Sequence, residues 1–150
     1  MTIATDSMRQ LDLSKLTGLK EVVLMSGPNV RWITMTLQTA ESTNLQRIII
    51  HFPAPLRASD EELFHREWQD LDYALLQLWT SRSVRPRIEH GGGLSWCELR
   101  KLAPRLLPEL TSRGVVDLVE YNVYTEGRRR GWPLHGGGES VDKYMLSFLN

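Results

Sequence analysis

The sequence predicts an α/β fold with a mostly parallel sheet, because four short apolar runs alternate with three helix-like stretches. The runs cover residues 22–25, 45–52, 84–90 and 115–123. Runs rich in Val, Ile and Leu without regular polar alternation are typical of strands that are covered on both faces, as in parallel sheets. Strands that alternate with helices indicate βα units joined by right-handed crossovers.

The third run differs from the others because it contains Pro86. Proline has no N–H to donate to a neighbouring strand, so it is found mainly in edge strands. We therefore expect residues 84–90 to form an edge strand or an irregular one.

The first two helices are predicted from the spacing of their apolar residues. Val30, Ile33 and Leu37 fall at positions i, i+3 and i+7, which places them in one stripe of a helix. The next helix is predicted to begin at Ser59, because Ser59 and Glu62 have the spacing of a capping box. Its apolar residues then recur every three or four positions, at Phe64, Trp68, Leu71, Leu75 and Leu78.

A third helix is predicted to begin at Ser95, which forms a second capping box with Glu98. Pro104 and Pro108 lie within this segment, and each removes a backbone hydrogen bond of a helix. We therefore expect either a kink or two short helices. Gly114 is predicted to end the segment as a C-terminal cap.

The composition is that of an ordinary globular protein. The 150 residues are 41% hydrophobic, and a chain of this length can bury a core without disulfides or metals. Lys plus Arg and Asp plus Glu both number 18, so no net charge attracts nucleic acid or an anionic membrane. The single cysteine, Cys97, excludes an intramolecular disulfide framework and favours a reducing compartment. With neither a secretory signal nor a long apolar run in the sequence, we expect a cytoplasmic or nuclear protein.

The chain is predicted to divide into one folded domain and a tail. Residues 1–124 are assigned to the α/β domain. Residues 125–140 combine three consecutive arginines with several glycines and have no periodicity, which predicts a flexible segment. Residues 141–150 are predicted to form a short terminal helix or strand, and the pattern does not decide between the two.

Residues with metal-binding chemistry do not group at the spacing of a known site. Glu62 and His65 have the i, i+3 spacing of diiron proteins, but such sites need a second pair and two further carboxylates. We interpret them as a surface pair. Zinc sites need several Cys or His at short spacings, which this chain lacks. We therefore predict no metal, no cofactor and no catalytic residues.

Two alternatives to this interpretation stay open. The first is a small α/β enzyme with a site near Cys97 and His90, or with His51 and His90 clustered at the C-terminal edge of the sheet. Cys97 lies in the first turn of a predicted helix, where a thiol pKa can be lowered. The second alternative is weak nucleic-acid binding through the tail arginines, Arg128, Arg129 and Arg130.

The glycine run and the tryptophans have simpler interpretations. Residues 91–93 are all glycine, but they lack the Lys-Ser/Thr of a P-loop and are interpreted as a flexible loop. Four tryptophans fall in predicted helices and are expected to lie partly in the core, with partners for their ring N–H groups. An exposed one would be a candidate binding anchor. These residues are Trp32, Trp68, Trp79 and Trp96.

Leucine-rich motifs carry a resemblance to a known family. The stretch LDLSKLTGLKEVVL has the spacing of a leucine-rich repeat, and LQRIII from Leu45 repeats the end of that pattern. With W-x-x-L-D-x-x-L-x-x-x-W from Trp68 to Trp79, SRSVRPRI and LLPELTSRGVVDLVEY, these motifs span most of residues 11–124. The chain resembles the C-terminal leucine-rich-repeat-like region of fungal (basidiomycete-type) F-box proteins.

The resemblance implies the end of a leucine-rich-repeat-like solenoid. In that family an F-box docks the adaptor of a cullin–RING ubiquitin ligase, and the repeats are thought to bind substrate. Only about ten residues precede the first repeat here, so we expect a fragment or truncated relative that does not bind the adaptor alone.

The predicted function is therefore a non-enzymatic protein-interaction module with an unknown protein partner. Recognition is expected on the concave strand face or on the loops at one sheet edge; a membrane or a nucleic acid is not an expected partner. Four leucines near the start of the chain are expected to form an exposed apolar flank that favours self-association. They are Leu11, Leu13, Leu16 and Leu19.

Overall fold

Five parallel strands and four helices make up the described part of the protein, whose structure is a computed structural model. Residues 2–5, 10–53, 56–91 and 94–121 are described. The strands are β1 (Thr2–Thr5), β2 (Glu21–Met25), β3 (Arg47–Phe52), β4 (Arg85–Gly91) and β5 (Asp117–Tyr121). The helices are α1 (Arg31–Gln38), α2 (Ala58–Arg82), α3 (Leu94–Leu106) and α4 (Pro108–Ser112).

The strands lie in the sheet in the same order as in the chain, and each pairs in parallel with the next. Because right-handed crossovers that always advance in one direction place their helices on one side, α1 to α4 form a single layer. Contacts of α2 with α1, α3 and α4 agree with this arrangement. The predicted α/β class with a parallel sheet is confirmed. We call the helix-covered side the first face of the sheet and the other side the second face.

The main core lies between the first face and the helix layer. Alternate strand residues enter it, including Val22, Ile50 and Phe52, and they meet Trp68 and Leu71 of α2. The Phe52 and Trp68 rings lie 5.5 Å apart between centroids. The intervening strand residues point to the second face because side chains alternate along a strand. Three of those form a separate small cluster, namely Val23, Met25 and Ile49.

The prediction that residues 84–90 form an edge or irregular strand is wrong, because β4 lies between β3 and β5. The N–H of Arg85 donates to Gln46 O on the β3 side at 3.0 Å. Successive residues of a strand turn their N–H groups to opposite neighbours, so the missing N–H of Pro86 would face β5. Pairing of β4 with β5 begins only at Arg87. Pro86 therefore occupies an inner strand without removing a hydrogen bond from that ladder.

The long helix is confirmed, but its start is not the predicted one. Helix α2 begins at Ala58, and its reciprocal cap joins Arg57 and Asp60 rather than Ser59 and Glu62. The Asp60 carboxylate accepts the Arg57 N–H at 2.8 Å, and the Asp60 N–H donates to the Arg57 carbonyl at 3.0 Å. Asp60, rather than Glu62, therefore caps the start of α2.

The segment after α3 confirms the expectation of two helices. Helix α4 begins with Pro108, and Gly114 has a φ of +64°, a left-handed conformation that favours glycine. No side chain of its own caps α4. Asp72 of α2 does so instead, since its carboxylate accepts the N–H groups of Glu109 at 2.9 Å and Leu110 at 3.1 Å. Burial raises the pKa of the Asp72 carboxyl above its ordinary value.

The expected apolar flank near the start of the chain is not exposed. Leu13 and Leu19 are 1% and 0% exposed, and Leu11 and Leu16 pack against the same core. Side chains beside α1 hold this segment in place, because the Leu13 N–H donates to the Thr39 hydroxyl at 2.8 Å. The prediction of self-association loses its basis, because the leucines that it invoked are covered. Strand β1, which the sequence pattern did not predict, pairs with β2 beyond this segment.

Candidate functional site

Charged residues stand at the start of four neighbouring strands. Strands β2, β3, β4 and β5 begin with Glu21, Arg47, Arg85 and Asp117. Arg87 follows Arg85 on the second face and is the register partner of Asp117. Because the amino ends of parallel strands meet at one edge of a sheet, these five residues come together. We call them the charged row.

The charged row is accessible and internally paired. Arg47 Nε lies 3.4 Å from a Glu21 carboxylate oxygen, and Arg85 Nη2 lies 3.6 Å from Asp117 Oδ1. The side chains of Arg47, Arg85 and Asp117 are each more than half exposed, at 53%, 56% and 52%. A cavity of about 330 Å³ lies among the row's three arginines and Asp117. This surface therefore presents guanidinium groups in a concave setting.

Trp79 positions one of these arginines. The Arg85 guanidinium carbon lies 5.8 Å from the centre of the Trp79 ring, within the range of a cation–π contact. Trp79 itself is half-buried near the end of α2. The ring and Asp117 contact the same guanidinium, so Arg85 is held from two sides.

A buried acidic group lies next to the charged row on the second face. Glu89 is 0% exposed, and one of its carboxylate oxygens lies 3.1 Å from Arg87 Nε. The other carboxylate oxygen lies 3.8 Å from His51 Nδ1, and the His51 side chain is 5% exposed. A carboxylate that loses its water needs a nearby cation. Arg87 is the nearby cation, and its guanidinium compensates the negative charge of the buried Glu89.

His51 and His90 both lie at the carboxyl ends of strands, but the sheet separates them. In the pairing of β3 with β4, the register partner of His51 is Glu89, and the partner of His90 is Phe52. Because side chains alternate along a strand, His51 faces the second side and His90 faces the first. Both residues are almost fully buried. The histidine cluster considered from the sequence is therefore not formed, and Glu89 is the residue that the sheet brings beside His51.

Other predicted site residues divide between the surface and the undescribed parts of the chain. Glu62 and His65 are exposed on α2, as a surface pair would be. Cys97 belongs to α3, but its side chain lies outside the described residues, as do residues 92–93 and the tail arginines 128–130. Within the described residues, no three His, Cys, Asp or Glu side chains group in a way that could hold a metal ion.

Two of the four tryptophans lie in the core, as predicted. Trp32 donates its ring N–H to the Ser26 hydroxyl at 3.1 Å, and Trp68 donates to the Pro28 carbonyl at 3.0 Å. Both are buried. Trp79 is half-buried and contacts Arg85 of the charged row, and the side chain of Trp96 lies outside the described residues.

A second cavity, of about 660 Å³, lies between α1 and α2 on the helix layer. Its charged lining residues carry both signs, among them Arg31, Glu67 and Arg82. No set of like charges converges there, so we place the candidate site at the charged row.

Comparisons with known proteins do not identify the chain. No protein-family model matches it, and neither a curated protein nor a solved structure is significantly similar. None of the helices in the described ranges is both long and apolar enough to cross a membrane.

Proposed function

We propose that this chain is a non-enzymatic protein-interaction module, of the kind that recognises substrates in F-box proteins, and that it binds its partner through the charged row. The observation that carries the proposal is that α1 to α4 all contribute residues to the one core on the first face of the sheet. Strands that advance one by one with helices on a single side are the arrangement of a leucine-rich-repeat solenoid, which binds along its strand face.

The charged row is the favoured part of the second face because it is accessible. Farther along the strands, Met25, His51 and Glu89 are 7%, 4% and 0% exposed. Residues that are buried cannot meet a partner without rearrangement. Arg47 and Arg85, by contrast, are more than half exposed, and arginine is enriched in protein interfaces.

The chemistry on the second face supports binding more than catalysis. A general base must present its basic atom to a bound molecule. His51 and Glu89 are 4% and 0% exposed, so neither presents a basic atom at the accessible surface. The accessible groups of the charged row are the guanidiniums of Arg47 and Arg85 and the carboxylate of Asp117, which suit recognition of a charged partner.

Affinity capture from a fungal lysate tests the proposal, with three forms of the protein compared by quantitative mass spectrometry. The first is the natural sequence, and the second carries Arg47→Glu and Arg85→Glu in the charged row. The third is a charge-matched control with Arg31→Glu and Arg66→Glu, since both residues are exposed on the helix layer. We expect some proteins of the lysate to be captured by the first and third forms but not by the second. Equal retention by all three forms would contradict the proposal.

A further inference from the structure

We propose that the charged row binds one carboxylate side chain of an extended peptide segment, seated between Arg47 and Arg85, with basic residues of the same segment on either side. This inference rests on the proposed function and names the chemistry of the partner.

The centre of the charged row is a pair of like charges. Arg47 and Arg85 are register partners on adjacent strands. Like charges directly opposite one another in a sheet repel. Their carboxylate partners stand on the outer sides, with Glu21 on β2 and Asp117 on β5. Across the first residues of β2 to β5 the charges therefore read negative, positive, positive, negative.

The existing ion pairs leave room for a further anion. Charge-assisted N–H···O bonds are typically about 2.7–2.9 Å long, whereas the two outer pairs measure 3.4 Å and 3.6 Å. Each guanidinium carries five N–H donors in a planar fork. A carboxylate placed between the two guanidiniums would accept bonds from both and would relieve their repulsion. The cavity of about 330 Å³ lies at this position.

Arg87 is not the anion's main partner, although it lines the same cavity. It lies 3.1 Å from Glu89, which is 0% exposed and has lost its water. An external carboxylate would have to compete with that buried charge. Arg85 is better suited, because its pair with the exposed Asp117 is long, at 3.6 Å, and because the contact with the Trp79 ring reduces the freedom that its guanidinium loses on binding.

The outer carboxylates select against a polyanion. Glu21 and Asp117 would repel a chain of phosphates or a run of acidic residues that extends past the central pair. The row is instead complementary to a single acidic residue with a basic residue on each side. Neighbouring strands lie about 4.8 Å apart, so the centre of the row is about 7 Å from β2 and from β5. An extended peptide that rises about 3.3 Å per residue covers this in about two residues.

The sequence Lys-Xaa-Glu-Xaa-Lys fits this geometry. Alternate residues of an extended peptide point to the same side, so the glutamate and both lysines would face the row together. The glutamate would meet Arg47 and Arg85, and the lysines would meet Glu21 and Asp117.

Titration of the ¹⁵N-labelled protein with short end-blocked peptides tests the inference, with the arginine Nε–Hε signals as the readout. We expect Lys-Ala-Glu-Ala-Lys to shift the signals of Arg47 and Arg85. Replacement of the peptide's glutamate by glutamine should weaken binding by about tenfold or more, because the charged acceptor is lost. Equal binding of the glutamine peptide, or tighter binding of inorganic phosphate or of a single-stranded oligonucleotide, would overturn the inference.

Substitutions in the protein test the same contacts independently of the substitution in the peptide. Arg47→Gln with Arg85→Gln should abolish the shifts that the glutamate peptide causes in the backbone amide signals of β3 and β4, with an unchanged melting temperature as evidence of folding. Glu21→Gln with Asp117→Asn should instead improve binding of Glu-Ala-Glu-Ala-Glu by severalfold, since the repelling carboxylates are gone. No change in either variant would contradict the proposed contacts.

The peptide titration and the lysate capture can fail separately. If capture depends on the charged row but the glutamine peptide binds as well as the glutamate peptide, the interaction surface stands and the carboxylate inference fails. If the glutamate peptide binds to Arg47 and Arg85 but the row variant captures the same proteins, the proposed function fails instead.

Discussion

Replacement of Asp72 by alanine should destabilise the protein by about 2–4 kcal/mol. Its carboxylate accepts the N–H groups of Glu109 and Leu110 at 2.9 Å and 3.1 Å, and α4 has no cap of its own. A buried donor that loses its partner costs roughly 1–3 kcal/mol. The Leu110 N–H is buried and would lose most, whereas water can partly replace the bond to the Glu109 N–H.

Urea denaturation followed by tryptophan fluorescence and by circular dichroism measures this loss. Asp70→Ala is a matched control, because Asp70 is exposed on the same helix. The control should change the free energy of unfolding by less than about 0.5 kcal/mol. A loss below about 0.5 kcal/mol for Asp72→Ala as well would refute the assignment of Asp72 as the cap of α4.

The difference in unfolding free energy between the natural protein and Asp72→Ala should depend on pH in a defined direction. Burial raises the pKa of the folded-state Asp72 carboxyl above 3.8, so the folded protein holds this proton more tightly than the unfolded chain. The contribution of this titration to stability is fully present below pH 3.8 and is lost as pH rises through the raised pKa. The difference between the natural protein and Asp72→Ala should therefore grow on acidification. A difference that shrinks would contradict the direction of the shift.

Three further substitutions probe the packing, each measured by urea denaturation. Trp68→Ala should cost about 3–5 kcal/mol, since Trp68 is 1% exposed and packs on Phe52; a loss under about 1 kcal/mol would contradict its core position. Ser42→Ala should cost about 1–3 kcal/mol, because the Ser42 hydroxyl lies within hydrogen-bonding distance of the carbonyls of Thr17 and Leu19. An unchanged denaturation midpoint would show that these bonds do not hold the segment before β2. Gly114→Ala should cost about 1–2 kcal/mol from its φ of +64° alone, since a Cβ there meets no atom within 4 Å, and a stabilised variant would contradict this geometry.

The apolar pattern of the sequence predicted most of the helices and strands, but not how the strands pair in the sheet. Strands β2 and β3 were predictable because each contains a continuous apolar run, and helix α2 was predictable because its apolar residues recur every three or four positions. Strand β1 was not, because only Ile3 and Ala4 of its four residues are apolar and it owes its conformation to pairing with β2. Pro86 misled the prediction for β4, since the effect of a missing N–H depends on where the pairing with β5 begins.

The candidate site was harder to predict because it depends on register. Glu21, Arg47, Arg85 and Asp117 are far apart in the sequence, and each looks like an ordinary charged residue at or near the start of an apolar run. A signal was present, since each of the four predicted strands has a charged residue near its start. That signal gains meaning only when the strands are known to be parallel and adjacent. The expectation of binding on the strand face or at one sheet edge stays a prediction.

Photo-crosslinking tests most directly the central claim that the charged row meets the partner. A photoreactive amino acid is placed at position 46, an exposed position beside Arg47, in one form of the protein and at position 66, on the helix layer, in another. Both forms are irradiated in the same lysate. We predict that position 46 yields a crosslinked protein that is absent at position 66 and that declines as salt concentration rises, since the contacts are ionic. The same crosslinked protein at both positions, or at position 66 alone, would contradict the account.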